Sequence, residues 1–279
     1  MKIFKLKEEL ISHLESLNSK KIRSFVPTMG ALHDGHLSLL QTAKQNSDLV
    51  ICSIFVNPTQ FNNSSDLEKY PRPIKQDLHV LSEINCDIVY LPEVSDLYNK
   101  NENSKFFEFN GLDKFMEGEV RKGHFNGVAT VVEKLFRIIK PNKAYFGQKD
   151  LQQLQIIKYI TNQLGLDVDI IGLPTKREAS GLAMSSRNKR LSESDLEKAT
   201  LIYKTLQFIS ENKLNYTIKE LKEICIEKIQ HHPELVLEYL EIVSIENLHP
   251  IENYKEYGNN AACIAATISS VRLIDNIIF

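Results

Sequence analysis

Two periodicities alternate along the first two thirds of the chain. Short β-branched or continuously apolar runs are separated by stretches whose apolar residues recur three and four positions apart. Leu6–Leu17 reads as an amphipathic helix, followed by the short strand Ile22–Val26 and a glycine-containing turn. A helix from about His36 to Asn46 comes next, with Leu37, Leu40 and Ala43 on its apolar face. Leu49–Val56 (LVICSIFV) is apolar but for Ser53, the pattern of a parallel strand covered on both faces. Asn57-Pro58 stops it. A helix near Ile74–Ile84 leads to the strand Ile88–Leu91, and a less regular stretch containing Phe106–Phe109 follows. Val128–Ile139 reads as a helix ending before Pro141. Ala144–Phe146 reads as a short strand, Asp150–Leu164 as a helix and Val168–Leu173 as a β-branched strand. This repetition predicts a Rossmann-like open parallel sheet with helices on both faces.

Beyond Arg187 the pattern changes. Glu193–Asn212 and Ile218–His231 read as charged amphipathic helices, with strands at Leu235–Ile242, Ala261–Ile268 and Val271–Ile274. A smaller C-terminal α+β domain is therefore expected, with residues 1–176 in the first domain and 177–279 in the second. No internal repeat or low-complexity tract interrupts either part.

Composition narrows the class. The 34 Lys and Arg nearly balance 36 Asp and Glu, and 42% of residues are hydrophobic. That balance excludes an intrinsically disordered chain and one that holds nucleic acid by bulk positive charge. No run of about 18 apolar residues offers a membrane span. The N-terminal MKIFKLKEELISHLE lacks the apolar core of a signal peptide, so a cytoplasmic location is expected. Cys52, Cys86, Cys225 and Cys263 stand far apart with no C-x-x-C spacing. Reduced thiols are expected, rather than a zinc ribbon or a disulfide framework.

The candidate chemistry sits where strands end, which is where open α/β sheets bind ligands. Pro27–His36 (PTMGALHDGH) joins the first strand to the next helix. Gly30 and Gly35 permit a tight turn, Asp34 can cap the helix, and the helix N-terminus then offers an anion site. His33 and His36, three apart, could hydrogen-bond or protonate phosphate oxygens. The same spacing also occurs in ordinary turns and in metal sites, although no further zinc ligands stand nearby. Gly147-Gln148-Lys149-Asp150 repeats the design: a glycine turn, a phosphate-seeking lysine and an acid. Gly181–Asn188 (GLAMSSRN) adds two hydroxyls and a guanidinium suited to a triphosphate. Each loop alone could be an ordinary turn. Three at matching strand ends point to nucleotide chemistry.

These residues carry a resemblance to the pantothenate synthetase (pantoate–β-alanine ligase) family of the nucleotidylyltransferase superfamily. The matching stretches are VPTMGALHDGH (26–36), SIFVNPTQF (53–61), Tyr70-Pro71-Arg72, GHFNGVATVV (123–132), FGQKDLQQL (146–154), Gly181–Asn188 and RLIDN (272–276). The resemblance implies ATP-dependent condensation of pantoate with β-alanine through a pantoyl adenylate, with AMP and pyrophosphate released. ATP would be a substrate carrying Mg²⁺, and no organic cofactor is implied. It also implies a homodimer, small-molecule substrates, and neither nucleic acid nor membrane as partner.

The resemblance further implies roles for individual residues. His36 and His33 would act on the phosphates, together with Lys149 and Arg187. Met29, Gly30, Ala31, Leu32, Asp34 and Gly35 would line the nucleotide, as would Gly147, Gln148 and Asp150. Lys176 would offer adenine a backbone contact, and Met184, Ser185, Ser186 and Arg187 would close over the triphosphate, making the second domain a lid. Gln60 and Gln153 would hold pantoate, with Asn57, Arg121 and His124 near the second substrate. Asp77 matches one member of an acidic pair and would be the metal ligand, although Gln76 breaks the pair. Gln148 stands for a common glutamate and Lys122 for a proline. Competing readings are another adenylyl transferase of the superfamily, and a catalytically silent nucleotide-binding or RNA-contacting protein.

Overall fold

The computed structural model describes residues 1–255 and 258–279. The strands are β1 (Lys2–Phe4), β2 (Arg23–Thr28), β3 (Leu49–Ile54), β4 (Ile88–Tyr90), β5 (Lys143–Gly147), β6 (Asp169–Leu173), β7 (Leu235–Ser244), β8 (Asn260–Ile268) and β9 (Val271–Ile278). The α-helices are α1 (Lys7–Glu15), α2 (Asp34–Gln45), α3 (Ser64–Lys69), α4 (Ile74–Glu83), α5 (Val94–Leu97), α6 (Glu117–Val120), α7 (His124–Ile139), α8 (Leu151–Gln163), α9 (Glu193–Asn212) and α10 (Ile218–Gln230).

The first six strands form one sheet in the order β1-β4-β3-β2-β5-β6, with every pairing parallel. Successive strand residues point to opposite faces, so an unbroken apolar run supplies two cores. Phe25, Ile51, Ile88 and Phe146 pack with Leu10 and Leu14 of α1, Val128 to Ile139 of α7, and Ile157 of α8. Their neighbours Val26, Cys52, Val89 and Tyr145 pack on the other face with Leu39, Leu40 and Ala43 of α2 and Leu81 of α4. Each fully buried aliphatic side chain contributes roughly 1.5–3 kcal/mol. The three remaining strands form an antiparallel sheet, β7-β8-β9, whose inner face packs on α9 and α10 through Leu206, Ile209, Leu221, Cys225 and Ile264.

Several elements differ from the sequence expectation: the short helices α3, α5 and α6 were not expected, β9 runs on to Ile278 rather than Ile274, and two further differences lie near the sheet. The expected opening helix is preceded by β1, which pairs Lys2–Phe4 with Ile88–Tyr90 at the sheet edge. Three residues with Ile3 45% exposed carry too little alternation to be seen in the sequence. Helix α7 starts four residues before the expected Val128, directly after Gly123 in the left-handed region (φ 82°). His124 and Phe125 are buried in its first turn.

The chain divides into two compact units: 1–109, 121–148 and 153–174, and 110–120, 149–152 and 175–279. The single boundary expected after Lys176 does not capture the two inserted segments of the second unit. Their ties are polar and long-range. Glu117 takes a two-pronged hydrogen bond from Arg272 (2.8 and 2.7 Å) and one from the Tyr239 hydroxyl (2.8 Å). Gln152 donates to the carbonyls of Leu112 and Phe115.

All four cysteines are buried and free. Burial pushes the thiols of Cys86 and Cys225 up to about 11 and that of Cys263 up to about 12, and raises Cys52 well above its usual value. At pH 8 the thiolate fraction is then roughly one part in a thousand or less. Alkylation of the native protein at that pH should be slow and should become rapid for all four on unfolding. Fast stoichiometric labelling of a native thiol would contradict this packing. Among the described residues no helix is long and apolar enough to cross a membrane.

Candidate active site

In the first unit the chain leaves β2 through a strained turn. The Thr28 hydroxyl donates to the Ser53 carbonyl (2.7 Å) and accepts from the Gly30 amide (3.2 Å), closing the strand end. Gly30 (φ 81°) and Ala31 (φ 51°) are both left-handed. Ala31 holds this backbone without glycine's freedom, at a cost on the order of 1 kcal/mol or more.

Helix α2 follows at once. The sequence assigned its cap to Asp34, but the structure gives that role to His33. The His33 backbone is extended and its Nδ1 accepts from the Gly35 amide at 3.2 Å. Asp34 is instead the first helical residue, exposed, where its charge still complements the helix N-terminus. With Nδ1 accepting, Nε2 is the ring nitrogen left to act as a donor. The His33 and His36 rings lie with centroids 4.1 Å apart, tilted by 42°. Two imidazoles therefore stand together at a helix N-terminus, beside a parallel strand end. A helix N-terminus of this kind can receive an anion, and imidazoles beside it can donate protons or hydrogen bonds.

A second cluster joins five of the sequence-derived residues. Gln60 donates from Nε2 to Met29 Sδ (3.2 Å), and its Oε1 accepts from Asn57 Nδ2 (3.1 Å). Asn57 is 1% exposed, donates to the Gly127 carbonyl and accepts from the Tyr98 and Thr59 hydroxyls. Its amide is thus a hub that holds the loop, rather than an open substrate contact. His124 Nδ1 lies 2.8 Å from the Gln60 carbonyl, and Arg121 is 3.2 Å from the other ring nitrogen. Arg121 and His124 therefore support the backbone that carries Gln60. Gln153 is half-buried on α8, outside this hydrogen-bonded set. A cavity of about 1070 Å³ opens over the ends of β2, β3 and β4, with Met29, Gly30, Phe55, Asp77 and Tyr98 among its walls.

At the end of β5, Gly147 and Gln148 close the first unit's segment and Lys149 opens a segment of the second. Lys149 lies 3.6 Å from Asp150, an ion pair partly exposed and therefore weak. Its carbonyl is held by Asn276 Nδ2 at 2.8 Å. The neighbouring Asp275 grips Arg177 with both oxygens (2.6 and 3.0 Å), while the guanidinium stacks 3.8 Å over the Tyr203 ring. Arg177 also donates to the carbonyls of Gly181 and Asn276. The Gly181–Asn188 loop is tied further by Glu178 N to Leu182 O, Met184 N to Lys176 O, and Asn188 Nδ2 to Ala183 O. Lys176, whose backbone was expected to contact adenine, accepts the Met184 amide at its carbonyl. Ser186 is buried, whereas Met184, Ser185 and Arg187 remain partly open, with Ser185 capping a short 3-10 turn.

The motif RLIDN thereby acquires work that its sequence did not reveal: Asp275 and Asn276 anchor the segments bearing Arg177 and Lys149. Gly127 and Gln152 also went unassigned. A glycine interrupting an apolar helical run was the available signal for the first.

Magnesium does not fit the residue assigned to it. Asp77 is 2% exposed, and its two oxygens accept from the amides of Ala31 and Leu32, each at 2.8 Å. Each oxygen spends one lone pair on a backbone N–H whose positive end faces the carboxylate, which weakens it as a cation ligand. Among the described residues no group of three His, Cys, Asp or Glu could hold an ion.

The family model for pantoate-beta-alanine ligase matches residues 2–278. A pantothenate synthetase of Christiangramia forsetii is 47% identical over 280 residues, covering 99% of each chain. The crystal structure of pantothenate synthetase from Thermus thermophilus superposes with a TM-score of 0.93 at 36% identity, covering 100% of this chain and 99% of that one. A Francisella tularensis pantoate-beta-alanine ligase, complexed with beta-gamma ATP and beta-alanine, gives 0.83 at 37% identity, covering 100% and 97%. With similarity of this extent running from one end to the other, the chain belongs to the pantoate-beta-alanine ligase family.

Proposed function

We propose that this ligase makes pantothenate in two steps, with pantoate first adenylated by ATP and the adenylate then cut by β-alanine. Family membership makes the overall reaction that of pantoate, β-alanine and ATP. The observation that carries the two-step reading is the paired imidazoles of His33 and His36 at the N-terminus of α2. A carboxylate resists attack by an amine until one of its oxygens becomes a good leaving group. Attack of the pantoate carboxylate oxygen on the α-phosphorus forms the P–O bond of the acyl adenylate, and the bond to pyrophosphate breaks. His36 donates a proton or hydrogen bond to the departing phosphate, and the His33 Nε2–H adds a second donor. The amine of β-alanine then attacks the acyl carbon, forming the amide and expelling AMP. All four cysteines are buried, which accords with a route that needs no thiol nucleophile.

In this reading Lys149, Ser185, Ser186 and Arg187 supply charge and short hydrogen bonds to the triphosphate. Met29, Gly30 and the Gly147–Asp150 turn meet the nucleotide, while Gln60 and Gln153 hold pantoate's hydroxyl and carboxylate oxygens. The bonds from Asn57, Arg121 and His124 keep Gln60 at the required height.

Positional isotope or labelled-pyrophosphate exchange tests the order of steps. ATP and pantoate alone should sustain exchange of pyrophosphate into ATP. Gln60→Ala and Gln153→Ala should lower exchange and overall synthesis together, by roughly 5- to 150-fold for the loss of a buried polar partner. Exchange that strictly needs β-alanine would exclude a free-standing adenylate. Exchange driven by a mononucleotide or phosphopantetheine, but not by pantoate, would point to another adenylyl transferase.

A further inference from the structure

A carboxylate that is almost fully buried needs compensation, and Asp77 finds it in one place only among its described hydrogen bonds. It sits in the first turn of α4, 2% exposed, and takes the Ala31 amide on Oδ2 and the Leu32 amide on Oδ1, each at 2.8 Å. Those two successive amides converge on one carboxylate in a turn where Gly30 and Ala31 are left-handed in succession. The approach is close: a Cβ on Gly30 would lie 2.9 Å from Asp77 Oδ2. Two charge-assisted hydrogen bonds thus offset the strain of a turn that a non-glycine residue would otherwise avoid. The next residue along is His33, the cap of α2, and His36 lies in the first helical turn. The direction in which both imidazoles leave the strand end is therefore set at this turn.

We infer that Asp77 is a positioning residue for the His33–His36 turn and not a ligand for magnesium. The inference rests on the reading in which these two histidines act on the phosphates. Asp77→Asn preserves size and one acceptor oxygen but removes the charge and presents an NH₂ to one amide. Asp77→Ala removes both bonds.

The test measures kcat, the KM values for ATP and pantoate, and the free Mg²⁺ giving half-maximal rate. It uses the full-length protein for Asp77→Asn, His36→Ala and the double variant, with circular dichroism to confirm folding. Asp77→Asn is expected to lower kcat about 10- to 100-fold, with KM for pantoate and the Mg²⁺ requirement unchanged. Little further loss is expected when the change is added to His36→Ala, because the group being positioned is already gone. Asp77→Ala should lose more, and the asparagine variant supplies the kinetic answer if alanine prevents folding.

Any of three outcomes overturns the inference while leaving the phosphate reading intact. One is a full additive loss in the double variant. Another is a Mg²⁺ requirement raised tenfold or more, with kcat recovered at high Mg²⁺. The third is an unchanged kcat in folded Asp77→Asn. A silent His36→Ala would instead bring down the reading of the histidines, and the inference with it.

Discussion

Replacing His36 with alanine is expected to lower turnover by roughly 10²–10⁴-fold while the protein stays folded, the range for losing one positioned acid–base or charge-stabilising group. The ring is only half-buried in the first turn of α2. The His33 cap bond and the bonds of Asp77 to the Ala31 and Leu32 amides are made by other residues and remain in the variant. Alanine is also the best helix former, so the helix loses nothing intrinsic. The check is a comparison of steady-state turnover and pyrophosphate exchange with a thermal melt. Near-normal turnover in a folded variant would move the phosphate role to His33 or Lys149.

Gly127→Ala is expected to cost far more than one methyl group suggests. A Cβ at this position would lie 2.3 Å from the Thr59 carbonyl oxygen and 2.7 Å from the Gln60 Cα. Both are backbone atoms, so no side-chain rotation relieves the clash. Residues 59 and 60 must move away from α7, and the Asn57 bond to the Gly127 carbonyl must stretch or break. Overpacking of this kind costs about 1–3 kcal/mol of stability. The kinetic effect should be larger, because a displacement of about 1 Å in a positioning group can cost on the order of 10²-fold. The kcat/KM for pantoate should fall by about that factor, with the KM for ATP changed only slightly. Unaltered pantoate kinetics would show that the 57–60 loop does not hold that substrate.

Much of the layout was legible in the sequence because its cause is local. Leu49–Val56, with seven apolar residues in eight and only Ser53 polar, reads as a doubly covered strand. The structure places β3 there, from Leu49 to Ile54, at an inner position of the sheet. The helix Glu193–Asn212 was legible to the residue, with Ser192 capping it through the Asp195 amide. The histidine turn could be located as well, because glycines, a cap and a strand end fall within ten residues. Its internal mechanics could not. Asp34 is a better cap by type than His33, yet the left-handed Gly30–Ala31 pair delivers His33 to the cap position.

Patterning and turn chemistry in the sequence therefore determined the parallel sheet, the smaller α+β part and the places of the candidate loops. These depend on burial and backbone preferences that act over a few residues. What only the tertiary structure decided is the partner of each polar group. Asp77 accepts from the amides of Ala31 and Leu32, 46 and 45 positions away. Glu117 pairs with Arg272 across 155 positions, and Asn276 holds Lys149 across 127. A buried charge or amide must find a complementary group wherever the packed chain brings one, and no period in the sequence records that choice.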